Sequence, residues 1–326
     1  MPDVIILGGG IIGSSAAYFL SKAGAKVLVL EQDAHPPKDH TASSSAARAT
    51  GGFRVQYGTG INVQLSLLAR QVLLELDFQT GYQPFGYLFL ATSSEELAAL
   101  EDALLVQRRA GLGVSRLISP LEIATLNPVL NLEGVLGGSY CPWDGFIRPL
   151  LLRQGFATGA MQYGAEFRYG IKTSLVVRGN RVLVQTKYEQ LEAGAIVNAT
   201  GAWASTLGIP IPVTPEKRQI AQTTKTNLLP PEMPMSIFCD TGFHLRVCDE
   251  RVLLLRQGTL HSSHPLDLSP DLTWTAPMFA EAQTRVPALR GLEIEQVWAG
   301  LYENSPDKHA IFGRHPEYSN LYLVNG

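Results

Sequence analysis

Val4-Ile-Ile-Leu-Gly8-Gly-Gly10-Ile-Ile-Gly13-Ser-Ser-Ala-Ala-Tyr-Phe-Leu-Ser-Lys-Ala23-Gly-Ala-Lys26-Val-Leu-Val-Leu30-Glu31 decides the fold of this chain. An apolar strand runs into Gly8-x-Gly10-x-x-Gly13, a helical pattern follows, and a second apolar strand ends on an acid: a dinucleotide-binding βαβ unit. Gly8 permits the tight turn, Gly10 lets backbone approach a pyrophosphate, and Gly13 lets the helix pack closely on the strand. The helix N-terminus offers unpaired N–H groups and a positive dipole end to the phosphates. Glu31 stands eighteen residues beyond Gly13, where a carboxylate accepts from ribose hydroxyls and repels a 2′-phosphate, which disfavours NADP. The motif by itself accommodates FAD or NAD.

Outward from this unit, the rest of the 326 residues suffices for about two domains. A net charge of −3, from 26 basic and 29 acidic residues, gives no basis for a nucleic-acid groove or a polybasic membrane patch. No apolar run reaches the length of a membrane span. The first strand starts almost at Met1, so no signal peptide is expected, and the expected compartment is cytoplasmic. Cys141, Cys239 and Cys248 are odd in number and lack C-x-x-C spacing; reduced thiols are expected, and no metal site. His261 and His264 lie in a Ser-, Pro- and Asp-rich stretch that reads as a loop.

Strand-like and helix-like segments alternate near both ends and flank irregular sequence, as in a nucleotide-binding domain interrupted by a second one. Helical spacing covers residues 58–78 and 95–110, and a strand is expected at 87–91. Residues 176–186 alternate around Gly179-Asn180 and predict a hairpin. The apolar run 195–197 leads into the small-residue turn Asn198-Ala-Thr-Gly-Ala-Trp203, a second place where backbone can approach a cofactor. Residues 210–234, rich in Pro and Thr, read as a crossing between domains, and strands are expected at 250–256 and 321–324.

Four segments in order resemble the FAD-dependent amine and amino-acid oxidoreductases, the family of monomeric sarcosine oxidase, glycine oxidase and D-amino-acid oxidase. They are Gly8 to Glu31; Ser43-Ser-Ser-Ala-Ala-Arg-Ala-Thr-Gly-Gly-Phe-Arg54; Val197-Asn-Ala-Thr-Gly-Ala-Trp-Ala204; and Trp298-Ala-Gly-Leu-Tyr-Glu-Asn-Ser-Pro-Asp307 with His315-Pro-Glu-Tyr-Ser-Asn320. The resemblance implies an α/β fold: a Rossmann-like FAD-binding domain of the glutathione-reductase type carrying an inserted antiparallel-sheet substrate domain. The expected division is 1–81, 144–215 and 298–326 for the first, and 82–143 and 216–297 for the second.

It further implies that a hydride passes from the amine-bearing carbon of a small amino acid or secondary amine to flavin N5, giving an imine that water hydrolyses. Molecular oxygen or another acceptor then takes the electrons. The expected FAD contacts are Gly8, Gly10, Ile11, Ile12, Gly13, Glu31 and Gln32; Ser43, Ser44, Ser45, Arg48, Gly51 and Gly52; and Lys172, Ala199, Thr200, Gly201, Trp203 and Gly313. Gly300 and Arg48 stand where relatives attach flavin through cysteine or histidine, so non-covalent FAD is expected.

Arg54 resembles the family's substrate arginine, whose fork would grip a carboxylate through two parallel hydrogen bonds. Arg246, in Gly242-Phe-His-Leu-Arg246, is its rival. Arg256 falls near the lysine that promotes reaction with oxygen, and Tyr87, Phe243 and His244 are expected to line the pocket. The sequence stops at Asn325-Gly326, where the family's Phe-Ser-Gly-His-Gly turn would begin, which leads to an expectation of weak FAD binding and poor turnover. Two other readings share the first motif: an NAD-dependent oxidoreductase, and a non-catalytic flavoprotein or assembly factor that holds a partner.

Overall fold

A computed structural model describes residues 1–258 and 260–326. The opening stretch forms strand β1 (Val4–Leu7), helix α1 (Ile11–Lys22) and strand β2 (Val27–Leu30). β1 is the centre of a six-stranded sheet ordered Ile311–Arg314, Leu321–Asn325, Ala195–Asn198, β1, β2, Glu166–Arg168. Every pair is parallel except the outermost, Ile311–Arg314 with Leu321–Asn325.

The strands read as unbroken apolar runs because both faces are covered. Ile5 and Leu7 pack with Leu28, Leu175 and Val182 beneath a three-stranded sheet built on the hairpin Ser174–Arg178 and Arg181–Gln185. Val4 and Ile6 pack on the other side with Ala17, Leu152 and Phe156, from α1 and the helix Pro149–Gln162. The C-terminal ends of the parallel strands converge on the Gly8 turn, where open α/β sheets place their ligands.

The second layer is an eight-stranded sheet ordered Ile294–Asn304, Thr214–Thr223, Arg251–Leu255, His244–Cys248, Met235–Phe238, Tyr87–Ala91, Gly137–Cys141, Arg116–Ile118. It is antiparallel apart from one seam, Met235–Phe238 against Tyr87–Ala91, where the two inserted segments meet in parallel. Side chains alternate across it. Leu88, Leu90, Leu245, Val247, Val252 and Leu254 enter one core on the outer face. Tyr87, Met235, Ile220, Leu253, Leu255 and Trp298 belong to smaller clusters on the inner face.

The helices expected at 58–78 and 95–110 are Gly60–Glu75 and Ser94–Arg109, the latter opened by a Ser93/Glu96 capping box. The strand Tyr87–Ala91 stands as expected, and those near 195, 250 and 321 lie within a residue or two. The crossing expected over 210–234 contains instead a ten-residue strand, Thr214–Thr223. Pro215 is tolerated because the part before Ile220 pairs on one side only, with Ile294–Asn304. The same ladder, with Trp298 opposite Ile220 and Thr214 opposite Asn304, crosses both domain boundaries expected near 215 and 298. Among the described residues, no helix is long and apolar enough to cross a membrane, and no cluster of three or more His, Cys, Asp or Glu is placed to hold a metal ion.

Candidate active site

The glycine turn is held by geometry that no side chain would survive. Gly8 has φ +96°, and a Cβ there would lie 2.5 Å from Ala199 O; at Gly13 it would lie 1.8 Å from Gly8 O. At Gly10 a Cβ would meet nothing within 4 Å, because this position faces a cavity of about 650 Å³. Helix α1 opens there without a side-chain cap or an acid in its first turn, so its free N–H groups and dipole end are available to an anion. Glu31 accepts from Gly9 N at 2.6 Å and from Asp33 N at 2.9 Å while also lining the cavity. It braces the turn as well as standing where a ribose would lie.

Fourteen of the expected FAD contacts line this cavity. They are Gly8, Gly10, Ile11 and Ile12 from the turn; Glu31 and Gln32 from the end of β2; Ser43, Ser44 and Ser45 from the following loop; Lys172; and Ala199, Thr200, Gly201 and Trp203. The other five do not line it. Gly13 serves helix packing. Arg48 donates to Ala42 O and Ala299 O, both at 2.7 Å, and so ties the loop to strand Ile294–Asn304. Gly51 and Gly52 permit close approach: a Cβ would lie 2.4 Å from Ile147 O at the first and 2.0 Å from the Tyr87 hydroxyl at the second. Gly313 pairs with Leu323 at the sheet edge.

Sequence reasoning missed Glu303, Leu266 and Arg153. Glu303 lines the cavity and accepts from Gly326 N at 3.2 Å, and burial raises its carboxyl above the usual range. Leu266 reaches the cavity from the second layer and left no sequence signal. Arg153 is 3% exposed and donates to Gly9 O at 2.8 Å, fixing the glycine turn from behind. A charged residue on the apolar face of a helix was its available signal.

The inner face of the eight-stranded sheet meets the segment that carries Arg54. The Arg54 guanidinium rests on rings rather than on a carboxylate, 4.1 Å from the Tyr57 centroid and 5.6 Å from that of Phe89. Behind it lies Asp144, wholly buried, which accepts from Val55 N at 2.5 Å and from Gln56 N at 3.3 Å. Burial pushes the Asp144 carboxyl up to about 6, against the pull of those hydrogen bonds and of Arg54. Gln56 in turn donates to Tyr87 O at 3.0 Å and accepts from Ser139 Oγ at 2.9 Å. Sequence reasoning passed over this network, since nothing local to Trp143-Asp144-Gly145 points 89 residues back to Val55.

The remaining expected residues separate. Arg246, 3% exposed, lies 3.5 Å over the Phe146 ring and donates to Thr50 O at 2.7 Å, so it is engaged in holding the Arg54 segment. Arg256 lies 2.9 Å from the Glu281 carboxylate on the helix Thr275–Arg285. His244 donates from Nδ1 to Gly242 O at 2.8 Å, and burial holds its pKa down, so the ring is neutral near pH 7, and Nε2 has no partner among the described residues. Phe243, expected in the pocket, is wholly buried in the outer core instead, because its neighbour His244 takes the inner face.

A βαβ unit whose glycine turn opens on a cavity of about 650 Å³ at the C-terminal ends of a parallel sheet marks a dinucleotide-binding protein. The chain belongs to the FAD dependent oxidoreductase family (DAO), whose model matches residues 3–326. It is similar to mouse "FAD-dependent oxidoreductase domain-containing protein 1", 29% identical over 379 residues that cover 99% of this chain and 77% of that protein. It is similar to rat mitochondrial dimethylglycine dehydrogenase, also at 29%, over 99% of this chain and 40% of that protein. Among solved structures, L-proline dehydrogenase from P. horikoshii superimposes with a TM-score of 0.87 at 27% identity, over 100% of this chain and 87% of that one.

The family makes the dinucleotide FAD, and the NAD-dependent reading gives way. The residues present fit it: the open position at Gly10 admits phosphate oxygens, the uncapped α1 terminus supplies donors, and Glu31 faces the cavity. Neither Gly300 nor Arg48 carries a group that bonds covalently to a flavin.

Proposed function

We propose that this protein oxidises a small amino acid or secondary amine, of the sarcosine, glycine, proline or D-amino-acid kind, to an imine that water hydrolyses. Bound FAD would supply the hydride acceptor. The observation that carries the reading is Arg54, a half-buried cation seated on aromatic rings at the inner face of the second sheet. A guanidinium so placed binds a substrate carboxylate through two hydrogen bonds and fixes the adjacent C–H. Its charge also disfavours an ammonium nearby, which promotes the neutral amine that hydride transfer requires. Neutral His244 adds no charge to oppose this.

The names of two relatives, both dehydrogenases, support an electron acceptor other than oxygen. A cytoplasmic setting stays part of the proposal; the three free thiols, of which Cys141 is buried, suit any reducing compartment. Anaerobic titration of the FAD-loaded protein with glycine, sarcosine, proline and D-alanine tests the reading. Bleaching of the flavin band by at least one of them is expected. A band unmoved by the whole panel overturns the proposal, and admitting air afterwards separates oxidase from dehydrogenase.

A further inference from the structure

We propose that residues 260–271 form a strap closed over the dinucleotide cavity, with Lys217 as its latch and Leu266 as the side chain that meets the bound cofactor. The strap leaves the second layer after strand Arg251–Leu255 and returns to it at Leu272. Its ends are fixed: Leu260 packs on the outer core, and Asp271 caps the turn Leu272–Trp274 through Thr273 N at 3.0 Å. Between them, the hydrogen bonds that join it to the sheet come from Lys217 and Gln219, two residues apart and so on one face of strand Thr214–Thr223.

Lys217 is 8% exposed and spends all three donors on the strap: His261 O at 3.0 Å, Asp267 Oδ2 at 2.7 Å and Ser269 O at 2.8 Å. Gln219 exchanges two bonds with the Asp271 backbone, at 2.8 and 2.7 Å. His264 closes an inner turn, taking Leu266 N on Nδ1 and Asp267 N on its carbonyl, and that turn carries Leu266 to the cavity wall. The Lys217 ammonium, followed by Ser269, holds the Asp267 carboxyl far below the usual range, so this carboxylate stays ionised throughout the neutral region.

Burying an ion pair costs desolvation, and such pairs add little net stability; what this one adds is a single geometry for twelve residues that otherwise bond mainly to one another. A loop that covers a ligand with one apolar side chain and is tied at one polar point has the construction of a lid held by a catch.

The test is retention of FAD and needs no turnover, so it is independent of the substrate proposed above. FAD-loaded protein is diluted and flavin release is followed by the rise in free-flavin fluorescence. L266A, which removes the cover and leaves the latch, is expected to speed release about tenfold. K217M is expected to do at least as much while the FAD-free variant melts within a few degrees of the unaltered protein, a combination that a merely structural lysine would not give. In unaltered protein, amide exchange over 260–271 is expected to slow about tenfold or more when FAD binds, with a smaller change at the remote residues 127–136. Release rates unchanged in L266A, or equal protection of 260–271 with and without FAD, overturn the strap.

Discussion

The two halves of the site are built in different ways. The dinucleotide half is one continuous turn in which backbone does the recognition: glycines whose missing Cβ atoms make room, and free N–H groups at a helix end. The substrate half is assembled from side chains that grip distant backbone, Asp144 accepting from Val55 N across 89 positions and Arg246 donating to Thr50 O across 196. The first half fails all at once when one atom is added. The second degrades in steps, because each tether holds only part of the Arg54 segment.

The largest effect is therefore expected at the turn. Gly13→Val puts a Cβ into Gly8 O and forces α1 off β1, at a cost of about 3 kcal/mol or more from overpacking and displaced backbone. The purified variant is expected to be colourless, with its absorbance near 450 nm lost. Stoichiometric flavin in that variant would remove the distinction between the halves, since the backbone turn would then tolerate what its geometry forbids.

Next is Arg54→Ala, which takes away the cation while leaving the glycine turn intact. FAD is expected to remain bound, and kcat/KM for a carboxylate-bearing substrate to fall about 100-fold or more, which is the scale of a lost bidentate charge-assisted pair. Equal activity on such substrates would move carboxylate recognition away from Arg54. Arg246, already engaged by Thr50 O and Phe146, would not be its replacement.

That contrast also explains what was legible in the sequence. Gly8, Gly10, Gly13 and Glu31 could be read because they fall within one continuous βαβ motif of fixed spacing, and the small-residue turn after Asn198 was legible because it directly follows an apolar strand. Arg54 came from a motif, yet its setting on Tyr57 and Phe89 depends on which face of a strand 35 residues later turns inward. The same alternation sent His244 inward and Phe243 outward, and a one-residue step in register reverses such an assignment. Asp144 gave no signal because its partners are mainly backbone groups, which have no sequence identity, and Lys217 because two of its partners are backbone carbonyls and the third, Asp267, lies 50 residues on. The strand through Pro215 was hidden because proline reads as a breaker until it is known which edge is unpaired.

Asp144 sharpens the comparison through pH. Its carboxyl is raised from 3.8 to about 6 by burial, so the native state holds this proton more tightly than the unfolded chain does. Its contribution to stability is full below about pH 4 and is lost as pH rises through about 6, a total of about 3 kcal/mol at two pKa units. Carboxylates held low, such as Asp249 beside Arg148, act in the opposite sense, so the quantity to measure is the difference between the unaltered protein and Asp144→Asn. Denaturant unfolding is expected to show Asp144→Asn gaining relative stability between pH 4.5 and 7. The amide still accepts from Val55 N, so the Arg54 segment stays tethered and KM shifts by about tenfold at most. A difference in stability that does not change with pH would mean that Asp144 is solvated and that the Arg54 segment is not held by a buried carboxylate.

The smallest effect is expected at Arg256, whose ion pair with Glu281 is about one-third exposed on the arginine side. Pairs of this exposure contribute about 1 kcal/mol or less once screening is counted. Arg256→Gln is accordingly expected to lower the melting temperature by a few degrees at most. KM, FAD retention and the rate at which air re-oxidises the reduced flavin are expected to stay unchanged. The last of these is decisive, since a cation near flavin N5 would stabilise developing superoxide, whereas one neutralised by Glu281 on a peripheral helix would not. A clear drop in the oxygen rate with stability intact would show that Arg256 leaves Glu281 when FAD is bound, and would add a third element to the substrate half.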